Sequence, residues 1–186
     1  GRIIRKTRYV NGSSTVFEYS YDSMGRLLTV IEDGTIIEEY GYGPNGSRTY
    51  EMNAARGIPD RTLIYSDEDH LLSAGDTHYS YTLDGFLSAR TKGTEVTTYD
   101  YSSRGELLRV DLPDDAAIEY VHDPMGRRIA KIVNGAITEK YLWKGLTTLL
   151  AVYDGSDNLL MRFEYADART PVAMTAGGAI YYLGYD

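Results

Sequence analysis

Apolar and polar positions in this chain alternate singly over short runs, and the runs are cut at regular intervals by glycine. In Tyr19-Ser20-Tyr21 the two rings stand two residues apart, which on an extended strand places both on one face. Leu28 and Val30 carry the same alternation beyond Asp22-Ser23-Met24-Gly25. Asp22 can accept backbone N–H bonds at the first position of a type I turn, and Gly25 can take the positive φ that closes a short connection. A second turn is predicted at Asp33-Gly34, where a two-residue hairpin needs positive φ at both central residues, and Asn11-Gly12 is an earlier instance of the same signal. One unit is therefore two strands and two turns. Glycines at 25, 34, 46, 85, 93, 105, 126, 135, 145 and 155 mark the punctuation. Their spacing leaves room for strands of about five or six residues and none for helices of ordinary length.

The unit is copied along the chain. Its first aromatic falls at Tyr19, Tyr40, Tyr79, Tyr99, Tyr120, Tyr141 and Phe163, at separations of 21, 39, 20, 21, 21 and 22 residues. The 39 holds a degenerate copy, Ile64-Tyr65-Ser66-Asp67-Glu68-Asp69-His70-Leu71-Leu72, which lacks the turn glycine. The repeat positions are Tyr19, Tyr21, Asp22, Gly25, Arg26 and Leu27 in the first copy, then Tyr40, Tyr42 and Gly46, Tyr79, Tyr81 and Gly85, and Tyr99, Tyr101 and Gly105. They continue as Tyr120, Asp123, Gly126 and Arg127, with His122 in the second aromatic slot, and then as Tyr141 and Gly145. A fixed period near 21 is a repeat architecture. Tyr50–Asp60 lacks alternation and is expected to be a loop broken by Gly57 and Pro59. Leu112-Pro113-Asp114-Asp115 stands where a two-residue Asp-Gly turn is expected, with Pro presetting φ. Roughly sixteen strands are predicted. No linker rich in Pro, Ser or Gly divides them, so the fold class is all-β: tandem hairpins in one continuous, spiralling antiparallel sheet.

Tyrosine changes this picture most. Eighteen Tyr stand against three Phe and one Trp, so the apolar faces carry hydroxyls, and many rings are expected to keep an edge in water or in a polar lumen. The net charge of −8, with basic residues scattered singly, lacks the footprint of a nucleic-acid binder. No run of eighteen apolar residues spans a bilayer. The absence of cysteine removes disulfides, zinc-thiolate sites and thiol catalysis. The ends, Gly1 and Tyr185-Asp186, have the look of cuts within a series of units, so residues 1–186 are expected to be a segment of a longer protein.

The pattern Tyr-x-Tyr-Asp-x-x-Gly-Arg-Leu, carried by Tyr19, Tyr21, Asp22, Gly25, Arg26 and Leu27, resembles the signature of YD repeats, also called RHS repeats. Residues 167–186, through Arg169-Thr170-Pro171 and Ile180-Tyr181-Tyr182-Leu183-Gly184-Tyr185-Asp186, resemble the start of the RHS-associated core. The resemblance implies hairpins coiled into the wall of a hollow shell or tube. In bacterial members such a shell encloses a C-terminal toxin, and in animal teneurins it serves adhesion. It implies as partners the remaining repeats and core of the parent chain and an enclosed C-terminal polypeptide, and as location the outside or surface of a bacterium. The family's core ends in an Asp-Pro-x-Gly-Leu segment whose acids sever the cargo. Asp123-Pro124-Met125-Gly126-Arg127 shares three letters with it but lies inside an ordinary repeat and is assigned to a turn. Neither the protease region nor a toxin is expected in these residues.

Candidate chemistry is sparse. His70 beside Asp67, Glu68 and Asp69 could ligate a cation, yet alternating acids around a central glycine are missing, so the run is read as a solvated turn. No Gly-x-Ser-x-Gly elbow occurs, and Asp114-Asp115 lies in an expected exposed turn where desolvation cannot raise a carboxyl pKa. The chain is therefore read as non-catalytic, with no cofactor and no metal. Two roles stay open for the aromatic rows: cross-strand packing, or a ligand surface in a cell-surface adhesion or carbohydrate-binding module. Arg26 and Arg127 are placed to pair with Asp22 and Asp123 across their turns. A lone strip also leaves sheet edges that invite self-association.

Overall fold

The computed structural model describes residues 1–167 and 169–185. Among them lie 18 β-strands of one antiparallel sheet and a single turn of 3-10 helix. The chain divides into two compact units: Gly1–Ser80 with Arg90–Thr94, and Tyr81–Ala89 with the chain from Glu95 onward.

In the first unit, β1 (Arg5–Val10), β2 (Ser13–Tyr21), β3 (Leu27–Glu32), β4 (Thr35–Tyr42), β5 (Arg48–Asn53), β6 (Ile58–Tyr65), β7 (Leu71–Ala74) and β8 (Thr77–Tyr81) each pair with the next in sequence. β9 (Leu87–Lys92) follows. In the second unit the meander runs through β10 (Glu95–Tyr101), β11 (Leu107–Asp111), β12 (Ala117–His122), β13 (Arg128–Val133), β14 (Ala136–Lys144), β15 (Thr148–Tyr153), β16 (Leu159–Tyr165), β17 (Pro171–Ala176) and β18 (Ala179–Tyr182).

Two kinds of turn make the meander. Asn11-Gly12, Asp33-Gly34, Asn134-Gly135 and Gly177-Gly178 hold positive φ at both residues, which matches the twist of tight hairpins. The wider kind begins at a residue t whose N–H donates to the carbonyl of t+4 and whose carbonyl accepts from t+3. It recurs at Asp22, Gly43, Ser66, Thr82, Ser102, Leu112, Asp123 and Asp154. Residue t+3 has positive φ in every case: Gly25, Gly46, Gly85, Gly105 and Gly126, but also Asp69, Asp115 and Asp157. Aspartate tolerates this region better than other residues with a Cβ, which is how the copy at Tyr65 closes without glycine.

The geometry corrects several expectations. Among the described residues there are 18 strands, not about sixteen. Tyr50–Asp60 is not a loop: its first residues complete β5, Ala54–Arg56 forms a 3-10 turn capped by the Asn53 side chain and by left-handed Gly57, and β6 starts at Ile58. Asn53 and Gly57 stop and restart the chain so tightly that the strands remain paired on either side. Leu112–Asp115 is a wide turn rather than a substitute for the tight one. Gly155 is not the left-handed residue of its turn, a role Asp157 takes. Gly155 is instead a close approach, because a Cβ there would strike the carbonyl oxygen of Ile137.

The alternation is also re-phased. Tyr21 pairs with Leu27 and Tyr19 with Val30, so Leu28 is an extra, bulged residue, and Leu27 and Val30 share the tyrosine face. The same shift falls immediately before the second aromatic slot at Tyr42, Tyr65, Tyr101, His122, Trp143, Tyr153 and Tyr165. Few side chains are deeply covered: Val30, Tyr40, Leu63, Ala74, Val110, Ala151, Val152 and Ala173 are the buried apolar residues among those described. No oily interior accounts for this sheet. Ladder bonds and contacts between neighbouring hairpins must hold it, as in other architectures whose repeats depend on their neighbours.

Candidate functional site

Each bulge takes one carbonyl out of the strand ladder, and a buried carbonyl without a partner is costly. The second aromatic of the following hairpin supplies the donor. Tyr42 Oη donates to the carbonyl of Leu27 at 2.9 Å, Trp143 Nε1 to Arg128 at 2.7 Å, Tyr165 Oη to Leu149 at 2.8 Å and Tyr185 Oη to Pro171 at 2.6 Å. All four acceptors are residues paired directly across a bulge. Tyr21 makes the equivalent reach to Ile3 at 2.8 Å. At these positions a phenyl ring would fill the slot and leave the carbonyl bare. The hydroxyls of Tyr21, Tyr42, Tyr165 and Tyr185 end on backbone carbonyls, while Tyr9, Tyr181, Tyr182 and Tyr185 keep much of their surface exposed. Where they occur, these bonds form a seam that ties one hairpin to the one before it.

A second column runs along the wide turns. Asp22 accepts from the backbone N–H groups of Met24 and Arg26 at 2.9 and 2.8 Å and from Arg26 Nε at 2.6 Å. Asp123 does the same with Met125 and Arg127. These bonds hold the Asp22 carboxyl below the usual range, the Arg26 backbone contributing most. Partial burial opposes ionisation of Asp123, but the Arg127 side chain and the turn N–H groups outweigh it. The residue at t+4 then reaches the next turn. Arg26 lies over the Tyr42 ring at 4.6 Å and Phe86 stacks on Tyr101 at 5.0 Å and abuts Gly105, while Arg127 donates to the Gly145 carbonyl. Tyr79 and Tyr81 lie on β8, Tyr99 pairs with Val110 and Tyr120 with Lys131, and Gly46, Gly85 and Gly126 occupy t+3 of their turns. Leu27 lends its carbonyl to the seam.

Polar groups join the tyrosines on their face. Tyr40 donates to Glu38 at 2.6 Å and accepts from Asn53 at 2.9 Å, and Arg48 lies 4.4 Å over its ring. Glu51, only 7% exposed, is held by Arg48 at 3.0 Å and Arg61 at 2.5 Å. Burial pushes the Tyr40 phenol up, as does Glu38, whereas for Glu51 the two guanidinium groups outweigh burial and lower the carboxyl. In the second unit Tyr141 donates to Glu139, and burial together with that carboxylate pushes its pKa up to about 12. Lys131 pairs with Glu139 at 3.2 Å.

Beside this second group lies a cavity of about 520 Å³ lined in part by His122, Arg127, Arg128, Tyr141, Trp143 and Leu149. Arg128 packs 3.7 Å over the Tyr120 ring. His122 Nδ1 and Arg128 Nε are the buried side-chain polar atoms without a hydrogen-bond partner among the described residues. The sequence reading had missed Arg128 and Glu51. Their common signal is register, since they lie five and eight residues after the starts of their wide turns, positions that face the tyrosines once the bulge is counted.

Among the described residues no group of three or more His, Asp or Glu side chains is arranged to hold a metal, and no helix is long and apolar enough to cross a membrane. The stretch resembling the start of the RHS-associated core contributes β17 and β18, while Ala168 and Asp186 lie outside the described residues.

Known proteins are similar to this chain. Teneurin-3 of Mus musculus is 32% identical over 171 residues, which cover 89% of this chain and 6% of that protein. The tRNA3(Ser)-specific nuclease WapA of Bacillus spizizenii is 24% identical over 188 residues, covering 100% of this chain and 7% of its own length. A crystal structure of TcdB2-TccC3-TEV matches 93% of this chain and 12% of its own, with a TM-score of 0.49 and 13% identity. The chain thus spans a small fraction of the length of each. A family model described as Teneurin YD-shell matches residues 1–186, and by that match over its whole length the chain belongs to the YD-shell family of YD, or RHS, repeats.

Proposed function

We propose that this chain is a non-catalytic wall segment of a longer RHS-repeat shell, exported or displayed at a cell surface, whose task is to enclose or present a C-terminal polypeptide of the same parent. The observation that carries the reading is the seam: Tyr42, Trp143, Tyr165 and Tyr185 each donate to a bulge carbonyl of the preceding hairpin. Side chains used in this way extend a wall by tying one hairpin to the next. Residues 167–186 are, in this reading, the approach to the RHS-associated core, and the repeat residues have structural roles.

The test is protease protection in the parent protein. A tag placed in the segment that follows the shell should survive protease while the wall is intact. It should be lost when Tyr42→Phe and Tyr165→Phe together open the seam at two hairpins. Equal digestion of the tag in intact and altered parents would remove enclosure from the reading and leave presentation or adhesion.

A further inference from the structure

The cleft at Tyr141 lies where the seam, through Trp143 and Leu149, meets the turn column, through Gly126 and Arg127, and it holds polar atoms that neither uses. Arg128 makes no ion pair within 4.0 Å among the described residues, although it is held flat on Tyr120. The cation next to it on the same strand face, Lys131, is already taken by Glu139, and the other arginine of the cleft, Arg127, is taken by Asp123 at 2.6 Å. Arg128 is therefore the cleft cation without a direct ion pair, although it lies beside the Tyr141 hydroxyl and in the field of Glu139. His122 Nδ1 and Arg128 Nε carry no hydrogen bond, so each leaves an unused polar atom at the cleft. Met125, Trp143, Leu146 and Leu149 supply the apolar part of the lining. A single guanidinium without an ion pair beneath aliphatic and indole surface matches a monoanion on an apolar body better than a phosphate, which would call for more than one cation.

We propose that this cleft is a binding site for a carboxylate carried on an apolar body, with Arg128 receiving the carboxylate, His122 as a second polar contact, and Trp143 and Leu146 packing on the body. The carboxylate can be that of a small acid or of a glutamate between apolar residues in a polypeptide. The proposal does not depend on the shell reading, since the cleft is complete within one unit of this chain.

Trp143 is the chain's sole tryptophan, so fluorescence excited in its band reads the cleft alone. The 186-residue chain is titrated with hexanoate, hexanamide, inorganic phosphate, and the blocked peptides Leu-Glu-Leu and Leu-Gln-Leu. A saturable change with hexanoate, with the Glu peptide, or with both supports the site and identifies the source, provided hexanamide and the Gln peptide give none. Arg128→Gln should weaken binding about tenfold or more, as loss of a charge-assisted contact does. His122→Tyr, which fills the cleft with the aromatic usual at that slot, should abolish binding while raising stability, so misfolding cannot mimic the result. Arg90→Gln, an exposed charge change in the other unit, should leave binding as it was. Equal responses to acid and amide, tighter binding of phosphate than of hexanoate, or unchanged binding by Arg128→Gln would each overturn the proposal.

Discussion

The hairpin of β4 and β5 and the hairpin of β12 and β13 are built on one plan and end in opposite electrostatic states. In each, an arginine five residues after the start of the wide turn lies on the first tyrosine of its own hairpin: Arg48 on Tyr40 and Arg128 on Tyr120. In each, the residue eight after the start of the turn pairs directly across from that tyrosine. There the first hairpin has Glu51 and the second Lys131. Glu51 neutralises Arg48, draws in Arg61 and closes the face, whereas Lys131 turns to Glu139 on β14 and Arg128 has no direct ion pair among the described residues. The second aromatic slot follows suit, Tyr42 bonding the Leu27 carbonyl and His122 leaving Nδ1 unpartnered. Two side chains on a common backbone therefore decide whether a repeat is sealed wall or open cleft.

Removing Glu51 should break the contrast most severely. Glu51→Gln leaves Arg48 and Arg61 together without an anion. A fully buried pair loses about 3–5 kcal/mol on such a change. Both arginines keep partial contact with water, so we expect about 2–3 kcal/mol, read as a shift in urea midpoint at constant slope. The carboxyl of Glu51 lies below its ordinary value of 4.5 in the fold, so its contribution is present above that value and disappears as pH falls through the lower folded value. Wild type and Glu51→Gln should therefore converge in stability at acid pH. A constant gap from pH 7 to pH 2 would show that charge is not what closes this hairpin. Tyr141 supplies the alkaline counterpart. Because folding raises its pKa to about 12, its contribution holds below the ordinary tyrosine value of 10.0 and fades between the two. Carbon-13 spectra of labelled tyrosine should accordingly show the Tyr141 ring titrating late, and earlier once Glu139→Gln removes the carboxylate charge beside it.

Tyr42→Phe tests the sealed side of the comparison with a smaller expected effect. It keeps the ring beneath Arg26 and deletes one hydroxyl, stranding the Leu27 carbonyl, for a loss of about 1 kcal/mol. The loss should be accompanied by faster amide exchange in β3 and β4 than elsewhere in the chain. Uniform acceleration would assign the effect to global stability and not to the joint between hairpins.

The strands and turns were legible in the sequence because both depend on local chemistry. Alternation marks the faces, and Asp, Asn and Gly at fixed offsets mark the left-handed positions. The seam was not legible, because a bulge shifts the phase of a strand by one residue and no side chain announces it. Leu27 and Leu28 look interchangeable in the sequence, yet one faces the tyrosines and the other does not. Asn53 was equally hidden: read as part of a loop, it caps a 3-10 turn and also donates to Tyr40 across the sheet. The cleft needed both kinds of knowledge. His122 stood out as an exception to the tyrosine slot, but the significance of Arg128 and Lys131 emerges only when the register places them on its face.

His122→Tyr is the gentlest change and the one that converts one hairpin toward the other. The spacing of the seam, fifteen residues from Tyr42 to Leu27 and from Trp143 to Arg128, points a tyrosine at 122 to the carbonyl of Leu107, itself paired directly across a bulge. A new hydrogen bond there should add about 0.5–1 kcal/mol, and the phenol should displace whatever solvent occupies the cleft. Stability should rise in urea while Trp143 emission moves to shorter wavelength as its surroundings dry. A neutral or destabilising outcome with unchanged emission would mean that the missing tyrosine is not what holds this hairpin open. The Glu51–Lys131 exchange would then be left to account for the cleft by charge alone.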